Sequence, residues 1–149
     1  MVGDGSYLMM NSDLYSSVIT CHKLIVVVCD NGGYAVIDRL QNAKGTGSFN
    51  NMWDSSLSTR AVSVEFAQHA ASMGAKAETV NTISELEQAL DRAKAADRTY
   101  VVVIKTDPVT WTPGDAWWDV GVPAVSEREA VRKAYAEQSE GKKKQRLGV

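Results

Sequence analysis

Cysteine is scarce, charge is nearly balanced and no long apolar run is present in these 149 residues. Each absence excludes something. Cys21 and Cys29 lack the spacing of a metal-binding pair. Both sit in apolar stretches, so buried reduced thiols are expected rather than a disulfide. A net charge of −2 argues against a general nucleic-acid binder, which carries a basic face. No apolar run approaches the ~20 residues needed to span a bilayer. No basic segment followed by an apolar one trails Met1, so the expected setting is cytoplasmic. The rest is ordinary: 44% hydrophobic and 23% charged, at a length that suits one domain.

What is there concentrates between Val2 and Tyr34. The stretch opens Gly3-Asp4-Gly5-Ser6 and closes Cys29-Asp30-Asn31-Gly32-Gly33-Tyr34. Between the two lie a helical pattern and the apolar strand Leu24–Cys29. In open parallel α/β sheets, ligands sit beyond the carboxyl ends of strands. Gly3 and Gly5 are expected to permit a tight turn and a close approach of backbone N–H groups to an anion. Asp4 supplies a hard carboxylate oxygen, Asn31 a neutral amide oxygen, and Gly33 a backbone carbonyl free to turn inward. Three such oxygens, completed by diphosphate oxygens and a water, suit the octahedron of Mg²⁺. Asp4 as an ordinary turn residue is the alternative. Only Met1 and Val2 precede the motif, so its feeding strand is expected to be a stump, as in a fragment or a gene that begins inside a domain.

The remaining pattern alternates. Residues 11–21 read as a helix, with Asn11 or Ser12 as N-cap and Leu14, Val18 and Cys21 on one face. Leu8, Met9 and Met10 form an apolar entry, and the methionines are expected to pack in the core. The strand at 24–29 is apolar on both faces, as a buried central strand would be. Tyr34–Leu40 predicts a helix carrying Val36, Ile37 and Leu40. Residues 42–59 form a long polar loop holding Phe49, Met52 and Trp53, read either as a segment near the ligand or as a mobile surface loop. A helix near 64–73 ends at Gly74, and 75–80 is a short strand. Thr82-Ile83-Ser84-Glu85 is a capping box for a helix with Leu86, Ala89, Leu90 and Ala93 inward. Thr99–Ile104 is a β-branched strand. Neither His22 nor His69 suggests catalysis. Trp111, Trp117 and Trp118, with Asp119, read as packing against a neighbouring domain, with substrate stacking as the alternative. Ser126-Glu127-Arg128-Glu129 is a second capping box, opening a helix to about 139 and then a frayed basic tail. This order predicts a three-layer α/β fold with a parallel sheet.

The Gly3-Asp4-Gly5 to Asp30-Asn31 spacing resembles the fingerprint of thiamin-diphosphate (ThDP) enzymes. That family ends the motif in Asn-Asn; here Asp30 stands in the first place and Asn31 keeps the second, which is the metal ligand's position. Four further segments resemble the carboxyl-terminal part of the trihydroxycyclohexane-1,2-dione hydrolases of myo-inositol catabolism. They are Gly3–Ser12, Gly47–Asn51, Glu65–Gly74 and Trp117–Val120.

The resemblance implies a diphosphate-binding (PP) domain, truncated at its amino-terminal strand, over 1–125, followed by a carboxyl-terminal helix and basic tail over 126–149. It implies ThDP and Mg²⁺ as cofactors. Metal would be held by Asp4, Asn31 and Gly33, and the cofactor by Gly3, Asp4, Gly5, Ser6, Asn31, Gly33 and Tyr34. It implies C–C bond hydrolysis of the cyclic dione to 5-deoxy-D-glucuronate. The Glu that activates the cofactor would lie on a pyrimidine-binding (Pyr) domain outside this chain, in a homo-oligomer whose sites form between domains of two subunits. Two other readings stand beside the hydrolase fragment: a small subunit of a split, acetolactate-synthase-like ThDP enzyme, and a non-catalytic α/β binding module.

Overall fold

The computed structural model describes residues 1–56, 63–110 and 121–145. The element order is β1 (Val2–Gly3), α1 (Asp4–Met9), α2 (Ser12–Ile19), β2 (Ile25–Asp30), α3 (Ala35–Ala43), α4 (Phe66–Ser72), β3 (Lys76–Val80), α5 (Ile83–Ala95), β4 (Tyr100–Lys105) and α6 (Glu129–Lys144). Among the described residues the strands form one sheet, ordered β1-β2-β4-β3, and every pairing is parallel. β2 and β4 pair over their full length, from Ile25 opposite Tyr100 to Asp30 opposite Lys105. β1 adds only Val2 opposite Val28 and Gly3 opposite Cys29. No helix among the described residues is long and apolar enough to cross a membrane.

The two central strands are runs of β-branched residues, which suit a pleated surface covered on both sides. Side-chain alternation sends Val28, Val101 and Val103 to one face, where they meet Tyr7 and Leu14 of α1 and α2 and Phe66 and Ala70 of α4. Val27, Val102 and Ile104 go to the other face and meet Val80 and the α5 residue Ala89. Val28, Val101 and Val102 are fully buried. Each such side chain contributes roughly 1.5–3 kcal/mol by leaving water. The helix-strand alternation and parallel sheet predicted from sequence are therefore present.

Several local expectations give way. The Gly-Asp-Gly stretch is the start of a helix, with Gly3 as its extended N-cap at φ −75°, ψ 158°. Met9 and Met10 are exposed rather than in the core, because helix α1 turns Tyr7 inward and leaves them on its far side. Val36 and Ile37 are also exposed. Cys21 is exposed, and Cys29 is half-buried. Cys21 sits just past the end of α2 at φ 57°, a left-handed position usually taken by Gly, with its N–H bonded to Val18 O at 3.2 Å. Gly74 takes the same role after α4 at φ 90°.

At α5, Thr82 Oγ1 accepts the Glu85 N–H at 3.1 Å, as the capping box requires. The Glu85 carboxylate reaches one residue further back than expected, to the N–H of Asn81 at 2.7 Å. At α6 the expected box does not form. Ser126 Oγ accepts from Arg128 N at 3.2 Å, and Arg128 is the N-cap. The helix continues through Lys142–Lys144, so this part of the basic tail is helical rather than frayed. Trp111, Trp117, Trp118 and Asp119 lie outside the described residues, as do 57–59 of the long loop.

The edge strand β3 is tied to its neighbours by a polar clamp. Glu78 takes a two-point contact from Arg92 of α5, at 2.9 and 2.7 Å, and the hydroxyl of Tyr100 at 2.6 Å. The Arg92 hydrogen bonds hold the Glu78 carboxyl below its ordinary range despite partial burial. A depressed carboxyl pKa stabilises the fold above the unfolded-state value and ceases to do so as pH falls through the folded value. Thermal melts of Glu78→Gln should therefore show a lower Tm than the parent at neutral pH. The gap should close as pH drops below about 4.3. A separate expectation concerns the end of α2. Cys21→Gly should raise stability by up to about 1 kcal/mol in urea unfolding, since Gly removes the left-handed strain but loosens the unfolded chain.

Candidate functional site

A carboxylate with no solvent exposure lies where β1 becomes α1. Asp4 is 0% exposed. Its Oδ2 accepts the Gly33 N–H at 2.8 Å, and its Oδ1 accepts the neighbouring Gly5 N–H at 3.0 Å. The first bond joins the end of β1 to the turn after β2. The outer amide atom of Asn31 lies 3.0 Å from Asp4 Oδ1 and 2.9 Å from the Gly33 carbonyl oxygen. An Asn amide can stand in two orientations. With nitrogen outermost, it donates to both oxygens and closes the network. With oxygen outermost, three oxygens converge, and either a cation or a proton on Asp4 is needed between them. A carboxylate, an amide oxygen and a peptide carbonyl are hard donors of the kind Mg²⁺ takes. The donor set therefore fits that ion.

The turn after β2 is shaped by glycine and clamped by the long loop. Gly33 has φ 146°, and a Cβ there would lie 2.5 Å from Asn51 O. Gly33 forms an antiparallel bridge with Met52. On either side, Tyr34 N donates to Asn51 O at 2.7 Å and Trp53 N to Gly32 O at 2.9 Å. The Tyr34 and Trp53 rings meet edge to face at 5.9 Å. Met52 is buried, so this part of the loop packs against the site.

Gly5 has a different reason from the one expected. Neither Gly3 nor Gly5 is among the glycines with positive φ. A Cβ on Gly5 would lie 2.6 Å from the Tyr34 ring, so Gly5 is the space into which Tyr34 packs. Its N–H is committed to Asp4. Above these residues opens a cleft of about 390 Å³, lined by Gly3, Gly5, Ser6, Asn31, Gly33 and Tyr34 on one side. Met9, Ala35, Val36 and Ile37 line the rest. The exposed Met9, Val36 and Ile37 thus border the cleft. A second cleft of about 250 Å³, at the amino ends of the strands, is bordered by Ser17, Lys23 and Thr99, which make structural contacts. Ser17 and Thr99 share a hydroxyl bond of 2.7 Å, and Lys23 donates to the carbonyls of Lys94 and Ala96.

Electrostatics single out the same carboxylate. Burial raises the Asp4 pKa above the ordinary Asp value, more than the N–H groups of Gly33 and Gly5 lower it, and the charge of Asp30 raises it further. Burial also pushes the Cys29 thiol up. Asp30 lies next to the Asn31 turn, with Oδ1 3.3 Å from Gly32 N and Oδ2 3.7 Å from Lys105 Nζ.

All seven residues expected to hold cofactor or metal therefore meet at one place: Asp4 beneath the cleft and the other six along it. Sequence reasoning missed the roles of Asn51 and Met52, which clamp the turn through the backbone. The only trace of them was apolar side chains inside a polar loop. It missed Asp30 as a charge near the site, and it missed Met9, Val36 and Ile37 as cleft residues.

Comparison with known proteins agrees with this geometry. Residues 1–104 match the family described as thiamine pyrophosphate enzyme, C-terminal TPP binding domain. The chain is 40% identical over 136 residues to the 3D-(3,5/4)-trihydroxycyclohexane-1,2-dione hydrolase of Bacillus licheniformis, covering 91% of this chain and 21% of that protein. It is 38% identical over 137 residues to that of Halalkalibacterium halodurans, with 91% and 21% covered. It is 37% identical over 150 residues to that of Geobacillus thermodenitrificans, with 96% and 24% covered. The chain thus spans about a fifth to a quarter of the length of these relatives. A solved thiamine diphosphate-dependent 4-hydroxybenzoylformate decarboxylase from Rhodococcus jostii RHA1 shares the fold, with a TM-score of 0.62 at 20% identity over 71% of this chain and 19% of that one. The chain belongs to the thiamine pyrophosphate enzymes through their C-terminal TPP binding domain, and thiamin diphosphate is the cofactor of that family.

Proposed function

We propose that this chain is the Mg²⁺- and diphosphate-binding part of a hydrolase that opens the trihydroxycyclohexane-1,2-dione ring to 5-deoxy-D-glucuronate. The observation that carries the site is the convergence of Asp4 Oδ1, the Asn31 amide and the Gly33 carbonyl at 3.0 and 2.9 Å beside the cleft. Identity of 37–40% to named dione hydrolases favours this substrate over the acetolactate-synthase-like and non-catalytic readings. In this reading residues 1–125 carry the site and 126–149 the final helix and tail. The enzyme works in the cytoplasm, where Cys21 and Cys29 stay as free thiols.

Each residue has a separable task. Asp4, Asn31 and the Gly33 carbonyl hold the cation, which in turn neutralises a diphosphate. Gly3, Gly5 and Ser6 border the diphosphate. Tyr34, kept in place by Trp53 and by the space at Gly5, forms a side wall. Met9, Val36 and Ile37 give an apolar border that excludes water from the organic part of the cofactor. Bound thiamin diphosphate would supply a carbon nucleophile for the dione carbonyl, and water would complete the hydrolysis of the C–C bond. The cleft offers one wall only. A Pyr domain, on a partner chain or a second subunit, supplies the opposite wall and the activating Glu.

Two variants test the site. Asp4→Ala should abolish Mg²⁺-dependent ThDP binding in calorimetry of any assembly whose parent binds it, because it removes the charged donor. Unchanged affinity would refute the assignment. Gly5→Ala should weaken ThDP binding about tenfold or more, since a methyl group displaces the Tyr34 ring, while metal-ligand atoms stay in place. Ring displacement should be visible as altered Trp53 fluorescence.

A further inference from the structure

Asp30 ends β2 as Lys105 ends β4, and the two stand opposite each other in the register. The proposed cofactor site gives neither a task. Beyond these strand ends opens a cleft of about 230 Å³, separate from the one lined by Asn31 and Gly33. Asp30, Gly32, Trp53, Asp54, Phe66 and Lys105 border it. The carboxyl ends of parallel strands are where open α/β sheets take ligands.

The Asp30 side chain is only 15% exposed, yet it lacks a strong partner among the described residues. Its hydrogen bond from Gly32 N to Oδ1 is long, at 3.3 Å. Its Oδ2 lies 3.7 Å from Lys105 Nζ, beyond hydrogen-bond reach. A polar pair at that distance is suited to a bridging group. A hydroxyl touching both would accept from the ammonium and donate to the carboxylate. Trp53 gives the cleft a fixed aromatic side. Its backbone N–H is bonded to Gly32 O at 2.9 Å, and its ring meets Tyr34 edge to face. An aromatic wall with a few placed polar groups suits a ring that has an apolar face and a hydroxylated rim. Charge narrows the class: Asp30 and Asp54 stand against the ammonium of Lys105, which disfavours an anion. No cluster of three or more His, Cys, Asp or Glu among the described residues could hold a metal ion. The volume falls below the ~300–1,000 Å³ of clefts that take drug-sized ligands, so it suits a single ring.

We propose that this cleft binds a neutral polyhydroxylated ring, a cyclitol, with one ring hydroxyl bridging Asp30 and Lys105 and the ring face against Trp53. That the ligand is the hydroxylated edge of the substrate rests on the function proposed above.

The probe is myo-inositol, titrated into the ¹⁵N-labelled full chain and followed by ¹H–¹⁵N NMR. The Gly32 and Lys105 amides and the Trp53 indole should shift saturably. Cyclohexane-1,2-diol, which has the ring but fewer hydroxyls, should bind at least about tenfold more weakly, since each missing hydroxyl leaves a polar group unpaired. Asp30→Asn and Lys105→Met are compared after a check for cooperative unfolding. Asp30→Asn should weaken myo-inositol binding about fivefold, because a charged acceptor becomes a neutral one. Lys105→Met should weaken it roughly two- to fivefold, as its donor is lost. No saturable shift, equal affinity for the diol, or unchanged affinity in either variant would overturn the proposal. Should Asp30→Asn fail to fold, Lys105→Met, whose parent side chain is 72% exposed, still decides. Calorimetry with Mg²⁺ and thiamin diphosphate on the same samples keeps the two readings apart. Cofactor binding without cyclitol binding overturns this inference and leaves the cofactor site intact. Cyclitol binding without cofactor binding leaves the cleft a polyol site and counts against the cofactor site.

Discussion

The structure depends on keeping one carboxylate out of water. Asp4 is fully buried at the junction of β1 and α1, and burial of a charge is costly unless hydrogen-bond donors surround it. Its partners come from two places: the neighbouring Gly5 N–H, and the Gly33 N–H and Asn31 amide of the turn after β2. That turn has its own requirement, since Gly33 lies so close to Asn51 that no side chain fits. Meeting it brings the loop at 51–53 against β2 and places Trp53 on Tyr34. Tyr34 in turn fills the space at Gly5. The chain of constraint therefore closes on itself, from Asp4 through Gly33, Asn51 and Tyr34 back to Gly5.

Such a closed set holds the turn after β2 and the cleft beside it in shape. It also carries electrostatic stress: burial raises the Asp4 pKa more than the surrounding N–H groups lower it. In the proposed reading, a divalent cation would relieve that stress and turn the Asn31 amide oxygen outward. Without an ion, the network is satisfied with the amide nitrogen of Asn31 outermost.

The sequence made the sheet legible because its strands are short β-branched runs at intervals filled by helical patterns. Leu24–Cys29 and Thr99–Ile104 read correctly to within a residue for that reason. The convergence of the seven candidate residues on one cleft was legible because Gly3-Asp4-Gly5 and Asp30-Asn31 bracket one helix-strand unit. What failed was periodicity over short spans. A six-residue helix at Asp4–Met9 has no second turn to announce itself, so Met9 and Met10 looked like core. Val36 and Ile37 were apolar for the sake of a cleft rather than a core, and hydrophobicity alone does not distinguish the two. The clamp by Asn51 and Met52 runs through backbone atoms, which leave no side-chain signature. Ser126–Glu129 matched a capping pattern, yet the N-cap fell two residues later, at Arg128, and the Ser126 hydroxyl turned to the Arg128 N–H.

The pairing of the sheet has a mechanical meaning. β2 is zipped to β4 along six register pairs and β3 to β4 along five, so the strands resist shear as a unit. The turn at 31–33 leaves the very end of β2, and the loop at 51–53 is hydrogen-bonded to that turn. The cleft wall is thereby hung from the stiffest part of the fold.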